Sequence, residues 1–318
     1  MFGPSLGGVH RLGAGLCFDH RRNPNPKTVE DSSMRAFDRE VVDVVWETIA
    51  PMLPRPVDDH PKGGHRPRID DRIIFQAMLI RLIVGCSYVD AEALCGWQVS
   101  DTTIRARRDE WIEANMFDDL FDHALAAYDR RIGLDLSEVA VDGSLHKAPC
   151  GGEGTGPNPT DRGRSGHKWS MATDAVGIPL GWDLDGANRH DIPLFEPTLA
   201  DVASRGLHLD IETIHLDRGY DARKVRDVLA DFGIDDAVIA KRRKPGEPKP
   251  VVPTKVGCHS LGLRWPVERT NSWLANFGQL RRNTDRRTCH RHAQICLAIV
   301  FLLAAKLIDH RDRFDPKT

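Results

Sequence analysis

The sequence lacks an apolar run long enough to cross a lipid bilayer. A membrane-spanning helix needs about 20 consecutive apolar residues. The most apolar stretch, residues 295–308, is shorter and is interrupted by Lys306. The first residues also lack the basic start and apolar core of a secretory signal. We therefore expect neither a membrane span nor a signal peptide.

Regularly spaced cysteines are also absent. Seven cysteines are scattered along 318 residues, which argues against a disulfide framework and favours a reducing, cytoplasmic setting. Two short clusters, Cys258-His259 and Cys289 to His292, suggest a zinc site. Their spacing does not match the paired ligands typical of structural zinc, so we do not favour that interpretation.

The net charge is small for a protein that would bind nucleic acid. The chain has 44 basic and 46 acidic residues, which gives a formal charge of −2. Overall charge therefore does not indicate the partner, and the distribution of charge along the chain is more informative. With 41% hydrophobic residues, the chain has enough apolar side chains to form the cores of one large domain and one smaller domain.

The first third of the chain after residue 32 is predicted to be helical. Apolar residues recur at helical spacing from Val41 to Ile49 and again over residues 73–83, and Ser100 is a helix N-cap. A short helix, a turn and a helix with basic residues near its start are typical of a helix-turn-helix. A helical bundle with a solvated basic face explains the pattern equally well. We predict a helical DNA-binding domain over residues 33–130, with DNA contacts from Arg105, Arg107 and Arg108, after a disordered or loosely ordered segment over residues 1–32.

From Glu138 onward the pattern changes to short apolar segments. Three predicted strands followed by alternating helix and strand indicate a mixed α/β fold. Two of these segments end at an acid, Asp142 and Asp217, and each acid is followed closely by a glycine that would leave room for a substrate. Such an aspartate is costly to bury unless it binds something, although many merely cap turns.

A third acid, Glu268, lies at the start of a predicted helix in a strongly basic stretch. Carboxylates suit Mg²⁺ or Mn²⁺, and two such ions can support phosphoryl transfer. A basic surround would hold a phosphodiester backbone. Together these features predict metal-dependent phosphoryl transfer. The candidate DNA contacts in this stretch are Arg264, Arg269, Arg281 and Arg282.

Two further segments lie beside predicted strands. His167 and Lys168 follow a glycine-rich basic loop, and we favour contact with DNA over a solvated loop. For residues 188–190 (Asn-Arg-His), substrate contact and a turn role both remain open. Asp183 and Asp185 fit turn or strand-edge roles better than metal binding.

Four segments carry a resemblance to a known family: VDGSLHKAP, SGHKWSMATDAVGIPLGWDLDGANRHD, HLDRGYD and RWPVERTNSWLANFGQLRR. They resemble the DDE transposases of bacterial insertion sequences, in the insertion sequence five (IS-five) group, over about residues 41–310. The resemblance implies an RNase H-like catalytic domain over residues 131–312 and two Mg²⁺ or Mn²⁺ ions. It also implies cleavage at terminal inverted repeats, strand transfer into target DNA, and a homodimer or larger oligomer on double-stranded DNA. The expected location is the bacterial cytoplasm, at the nucleoid.

Carried over by position, Asp142, Asp217 and Glu268 are the three catalytic, metal-binding acids, and Arg264 matches the arginine before the glutamate. Two positions depart from the wider family signature. Leu261 replaces its tyrosine and Ala275 replaces its later basic residue, for which Arg281 or Arg282 could substitute. The departures leave open two alternatives: a catalytically inactive DNA-binding or regulatory derivative, and a structure-directed nuclease without strand transfer.

Overall fold

The computed structural model describes residues 38–55, 67–240 and 264–314, with the backbone of two short paired strands, β7 (Val252–Thr254) and β8 (Gly257–His259). The described residues belong to one compact unit. The predictions for residues 1–32, for Leu261 and for the Cys258 and His259 side chains lie outside the described residues.

Within the described residues five α-helices precede the sheet, and the sequence pattern predicts the first four of them. They are α1 (Arg39–Ile49), α2 (Asp71–Val84), α3 (Tyr88–Leu94), α4 (Asp101–Glu113) and α5 (Met116–Arg131). The predicted start of α4 is confirmed, because the Thr103 amide donates to Ser100 Oγ at 3.3 Å. At α3, Ser87 and Asp90 cap each other's backbone amides. A short turn over residues 95–100 joins α3 to α4, in the order that a helix-turn-helix requires.

A mixed sheet forms the centre of the remaining chain. Its main strands are β1 (Glu138–Lys147), β3 (Ser165–Thr173), β4 (Pro179–Gly186), β5 (Thr213–Leu216) and β6 (Asp236–Ile239). They lie side by side in the order β4-β3-β1-β5-β6, while the short β2 (Gly156–Pro157) pairs with the start of β3. The first three run antiparallel and the last three parallel. The predicted RNase H-like mixed sheet is confirmed.

Helices cover both faces of the sheet. They are α6 (Ile192–Ser204), α7 (Arg223–Asp231), α8 (Trp265–Leu274), α9 (Gly278–Arg281) and α10 (Thr288–Phe314). Alternate residues of β1 divide between two cores, as a strand's period of two requires. Val139 and Val141 pack with residues of α6 and α7, whereas Ala140 packs with residues of α8 and α10.

Helix α10 is the central helix of the larger core. Among the described residues it is the helix whose length and composition would suit a membrane span, and α2 and α3 pass the same test only if joined across a sharp bend. However, 72% of its most apolar window is buried inside the protein. The apolar stretch at residues 295–308 thus belongs to a longer helix that fills a protein core.

The helical segment and the sheet share this core. Apolar residues of α1, α2, α4 and α5 pack in one cluster with those of α8 and α10. Helices α2 and α9 approach so closely that a Cβ atom added to Gly278 would lie 2.6 Å from Gly85 N. The domain boundary between residues 130 and 131 stays a prediction, but the apolar core contains residues from both sides of it.

Candidate functional site

The sheet register places two aspartates at one level. Strands β1 and β5 are parallel neighbours in which Val141 pairs with Leu216. The next residue of each segment, Asp142 and Asp217, therefore lies at the same level of the sheet. Only β5 ends there. The prediction that Asp142 ends its strand is wrong, because residues 143–147 continue β1 by pairing with β3.

Asp142 is a largely buried carboxylate with two hydrogen-bond donors. Its Oδ1 accepts from the Gly143 amide at 2.9 Å and its Oδ2 from Arg264 Nη2 at 3.1 Å. Burial raises the pKa of Asp142, while Arg264 and the Gly143 amide lower it and the charge of Asp217 raises it further. The pKa of Asp142 is raised on balance, because the effect of burial exceeds that of the nearby positive charge of Arg264.

Asp217 has both a turn-capping position and a place beside Asp142. Its Oδ1 accepts from the Gly219 amide at 2.6 Å and caps the 3₁₀ turn Arg218–Tyr220. Within the described part of the chain, its Oδ2 accepts no hydrogen bond. The alternative that this aspartate caps a turn is thus correct in itself. It leaves one carboxylate oxygen available at the level of Asp142.

Glu268 reaches this region from α8. It lies in the first turn of the helix, its side chain is 58% exposed, and its Oε1 lies 3.4 Å from Arg264 Nη2. The helix is fixed on the sheet by polar contacts, because Trp169 Nε1 donates to Asn271 Oδ1 at 2.8 Å and Thr270 Oγ1 to Gly177 O at 2.5 Å. The Arg264 guanidinium links Asp142 of β1 to Glu268 of α8.

The donor set fits a hard divalent cation. Three carboxylates are the ligand type that Mg²⁺ and Mn²⁺ prefer, and Asp142 and Asp217 are fixed by the sheet. Over the described ranges, the three acids do not bring one oxygen each within 4.8 Å of the others. The exposed Glu268 side chain is the one with freedom to move closer.

An acid that sequence reasoning missed lies against β1. Lys168, a predicted DNA contact, is buried, and its Nζ donates to Asp191 Oδ1 and to Arg189 O, both at 2.8 Å. A Cβ atom added to Gly143 would lie 2.4 Å from Asp191 Oδ1. The space above Gly143, expected to receive a substrate, is occupied by a carboxylate of the protein. In the sequence, this aspartate stands directly before the point where α6 begins, four residues before the predicted start of that helix at Phe195.

Replacing Gly143 with alanine is expected to destabilise the protein by about 1–3 kcal/mol, as other overpacked sites do. The added methyl would displace Asp191 from Lys168. Urea denaturation of Gly143→Ala, Asp191→Ala and the double variant measures the effect. We expect the double variant to lose less stability than the sum of the two single losses, because the clash and the ion pair share Asp191. Strict additivity would contradict the contact.

The three arginines of α4 that are predicted to contact DNA differ in burial. Arg107 and Arg108 are buried, the first paired with Asp71 and Glu110, the second with Asp109 and hydrogen-bonded to Tyr88. These partners argue against contact with DNA by either side chain. Arg105 remains accessible, with 47% of its side chain exposed.

The other residues that are predicted to contact DNA also differ in burial. His167 is 1% exposed, and burial lowers its pKa to about 3, so it is neutral and inaccessible to a phosphate. Arg269 lies between the rings of Trp265 and Trp273, at 4.4 and 4.5 Å from their centroids. Arg281 and Arg282 are exposed, and the backbone of Arg282 forms a bridge with Lys147 at the end of β1. Of the predicted DNA contacts, those with exposed side chains are thus Arg281, Arg282 and Arg105.

The disfavoured zinc interpretation finds no support at His292. Trp182 Nε1 donates to His292 Nδ1 at 3.1 Å, and His292 Nε2 lies 2.6 Å from Asp118 Oδ1. An indole N–H can only donate, so Nδ1 accepts and the proton lies on Nε2, directed at Asp118. Asp118, His292 and Cys296 could together reach one ion, but a metal on Nε2 would place a proton on Nδ1 facing the indole N–H.

Two family models match the chain. The model described as "Transposase DDE domain" matches residues 133–303, more than half of the chain. The model described as "Putative transposase of IS4/5 family" matches residues 41–121. The two matches fall on the sheet region and on the helical segment, respectively.

Two curated proteins of Burkholderia cepacia are similar to this chain. A "Putative transposase for insertion sequence element IS402" is 41% identical over 141 residues, which cover 42% of this chain and 60% of that protein. An "Insertion element IS402 uncharacterized 16.2 kDa protein" is 31% identical over 119 residues, covering 37% of this chain and 79% of that protein. The chain thus spans about three fifths of the first relative's length.

Two solved structures are distantly similar. They are the "Mos1 transposase paired-end complex with left transposon end" and the "Crystal structure of the Mos1 mariner paired end complex with Mn". The first is 14% identical and covers 57% of this chain and 62% of that chain. The second is 13% identical and covers 68% of each chain. Both have a TM-score of 0.23, a level that does not establish a shared fold.

The family model over residues 133–303 spans the strands and the helix that carry Asp142, Asp217 and Glu268. This match agrees with the resemblance seen in the sequence motifs. The chain belongs to the family of transposases with a DDE domain.

Proposed function

We propose that this chain is a DNA transposase that cleaves DNA at the terminal inverted repeats of an insertion sequence and transfers the freed strand into target DNA. The observation that carries the proposal is the acid arrangement. Asp142 and Asp217 stand level on adjacent parallel strands, and Glu268 is joined to Asp142 through one guanidinium. Membership of the DDE transposase family supports the reaction class.

Asp142, Asp217 and Glu268 would hold the divalent ions, Mg²⁺ or Mn²⁺ and two in number. When bound, such ions supply Lewis-acid stabilisation of the attacking and leaving oxygens in phosphoryl transfer. The protein's own contribution is to hold the two aspartates on rigid strands and to bring Glu268 to them on a helix anchored by Thr270 and Asn271.

The exposed basic residues are proposed to bind the phosphate backbone. Arg281 and Arg282 lie beside the end of β1, within the region that carries the acids. Arg105 lies near the start of α4, the second helix of the proposed helix-turn-helix. Contacts of this kind position DNA without reading its sequence. We further propose that a dimer or larger oligomer joins two element ends, and that the protein acts at the bacterial nucleoid.

The test uses the full chain and a labelled duplex carrying the inverted repeat that flanks the gene, with a target plasmid. We expect nicked or cut ends in Mg²⁺ or Mn²⁺, plasmid joined to the labelled end, and no product in EDTA. A duplex with a scrambled terminal repeat is the matched control for end recognition.

The other possible results of this test distinguish the alternative functions from one another. Cleavage without joined plasmid would indicate a nuclease without strand transfer. Binding of the repeat with no cleavage in either metal would indicate an inactive DNA-binding derivative. Equal cleavage of the scrambled duplex would contradict recognition of element ends.

A further inference from the structure

The Arg264 guanidinium lies between two acids of the candidate site. Its Nη2 atom donates to Asp142 Oδ2 at 3.1 Å and lies 3.4 Å from Glu268 Oε1. The charge of Asp217 also acts on Arg264. Arg264 is therefore a positive charge that the protein itself supplies to a group of three carboxylates.

The arrangement uses only part of the hydrogen-bonding capacity of Arg264. A guanidinium has five N–H donors, and both acid contacts are made by the same nitrogen. Arg264 Nε is buried and has no hydrogen-bond partner among the described residues. A buried donor without a partner is unfavourable. Arg264 therefore has unused donor capacity, and its buried Nε would gain from a new partner.

A divalent ion and Arg264 would compete for the same acids. Asp142 Oδ2 and Glu268 Oε1 face the guanidinium, and an ion held by these two acids would draw on the same negative charge. An ion that takes them both removes the partners of Arg264 and repels its charge. The guanidinium then needs another anion, and the phosphodiester of bound DNA is the group of that chemistry.

We propose that Arg264 is an internal counter-cation that weakens metal binding in the free protein and moves to a DNA phosphate when metal occupies the acids. Binding of DNA and binding of metal then strengthen each other, because each relieves the competition that the other faces. The metal part of this inference needs only the acids and Arg264. The DNA part rests on the proposed function.

The experiment measures Mn²⁺ binding to the full chain without DNA, by titration followed with electron paramagnetic resonance. Arg264→Ala and Arg264→Gln are expected to bind Mn²⁺ about 10-fold more tightly than wild type, within the range typical of coupling between sites. A merely structural role would leave the affinity unchanged or weaken it.

Arg269→Ala is the matched control. It removes the same charge from α8, one residue beyond Glu268, where the guanidinium packs on Trp265 and Trp273 and contacts no acid of the site. We expect it to leave Mn²⁺ affinity near that of wild type. Two Arg264 variants are used so that a folding defect in one, detected by thermal unfolding, does not decide the outcome.

A second titration adds a short duplex ending in the inverted repeat. Wild type is expected to bind Mn²⁺ more tightly with the duplex than without it, and Arg264→Ala to show a smaller gain. An equal gain in both proteins would overturn the transfer of Arg264 to phosphate.

The failures of this inference and of the proposed function are distinguishable. Mn²⁺ binding that Asp142→Asn abolishes but Arg264→Ala leaves unchanged or weakens would overturn only the role of Arg264. Mn²⁺ binding that is absent from wild type and from both Arg264 variants, or that is unaffected by Asp142→Asn, would overturn the metal site and the inference together.

Discussion

Replacing Asp142 with asparagine is expected to slow metal-dependent cleavage by about 10³-fold or more, because a metal ligand can supply several kcal/mol of transition-state stabilisation. Asparagine keeps the size of the side chain and one acceptor oxygen. It loses the negative charge that Arg264 uses and that a divalent ion would use. The backbone of β1 should be unaffected, since its pairing with β3 and β5 does not involve this side chain.

Single-turnover cleavage of a labelled element end measures this effect, with thermal unfolding of the same preparation as the check on folding. Asp231→Asn is the matched control, because Asp231 is exposed at the end of α7 and lies outside the proposed acids. Cleavage by Asp142→Asn at the wild-type rate would contradict the assignment of this residue. A parallel loss in Asp231→Asn would point to a nonspecific effect.

Replacing Asp285 with alanine is expected to lower the free energy of unfolding by about 3–5 kcal/mol, as when one partner of a buried ion pair is removed. Asp285 is 6% exposed and accepts from Arg81 Nη1 at 3.0 Å, with Arg108 at 3.4 Å and Gln294 also bonded to it. Alanine would leave Arg81 and Arg108 buried without this charge.

Asp285 connects distant parts of the chain, because it precedes α10 whereas Arg81 and Arg108 belong to α2 and α4. The substitution would remove that connection. Urea denaturation measures the loss. Asp312→Ala, at an exposed position on α10, is the control and should cost little. A loss below about 1 kcal/mol in Asp285→Ala, the size of an exposed ion pair, would contradict the role given to Asp285.

The local elements of the fold were predictable because their signals are local. Ser100 starts α4 through a hydrogen bond to an amide three residues away, and such caps are visible in sequence. Strands β3 and β5 lie where short apolar segments bounded by turns predict strands. The extent of β1 was not predictable. Residues 143–147 have no apolar pattern and are extended because β3 pairs with them.

The burial of charged residues was the part that local patterns missed. Arg107, Arg108 and Lys168 look like surface cations in the sequence, yet each is buried against a carboxylate or hydroxyl from another element. Helical spacing shows which residues share a face, but not whether that face meets solvent or another helix. Burial therefore argues against DNA contact by these three side chains.

The sequence by itself determined the order of the acids, the helical segment before a mixed sheet, and the motifs of the DDE transposase family, because these depend on residue type and short spacing. Tertiary structure alone decided that Asp142 and Asp217 stand level, that Asp191 lies against Gly143, and that Arg264 joins Asp142 to Glu268. The contact of Gly143 with Asp191 and that of Asp142 with Arg264 join residues 48 and 122 positions apart, and strand register sets the level of Asp142 and Asp217. Packing of distant elements, which no short pattern records, brings such residues together.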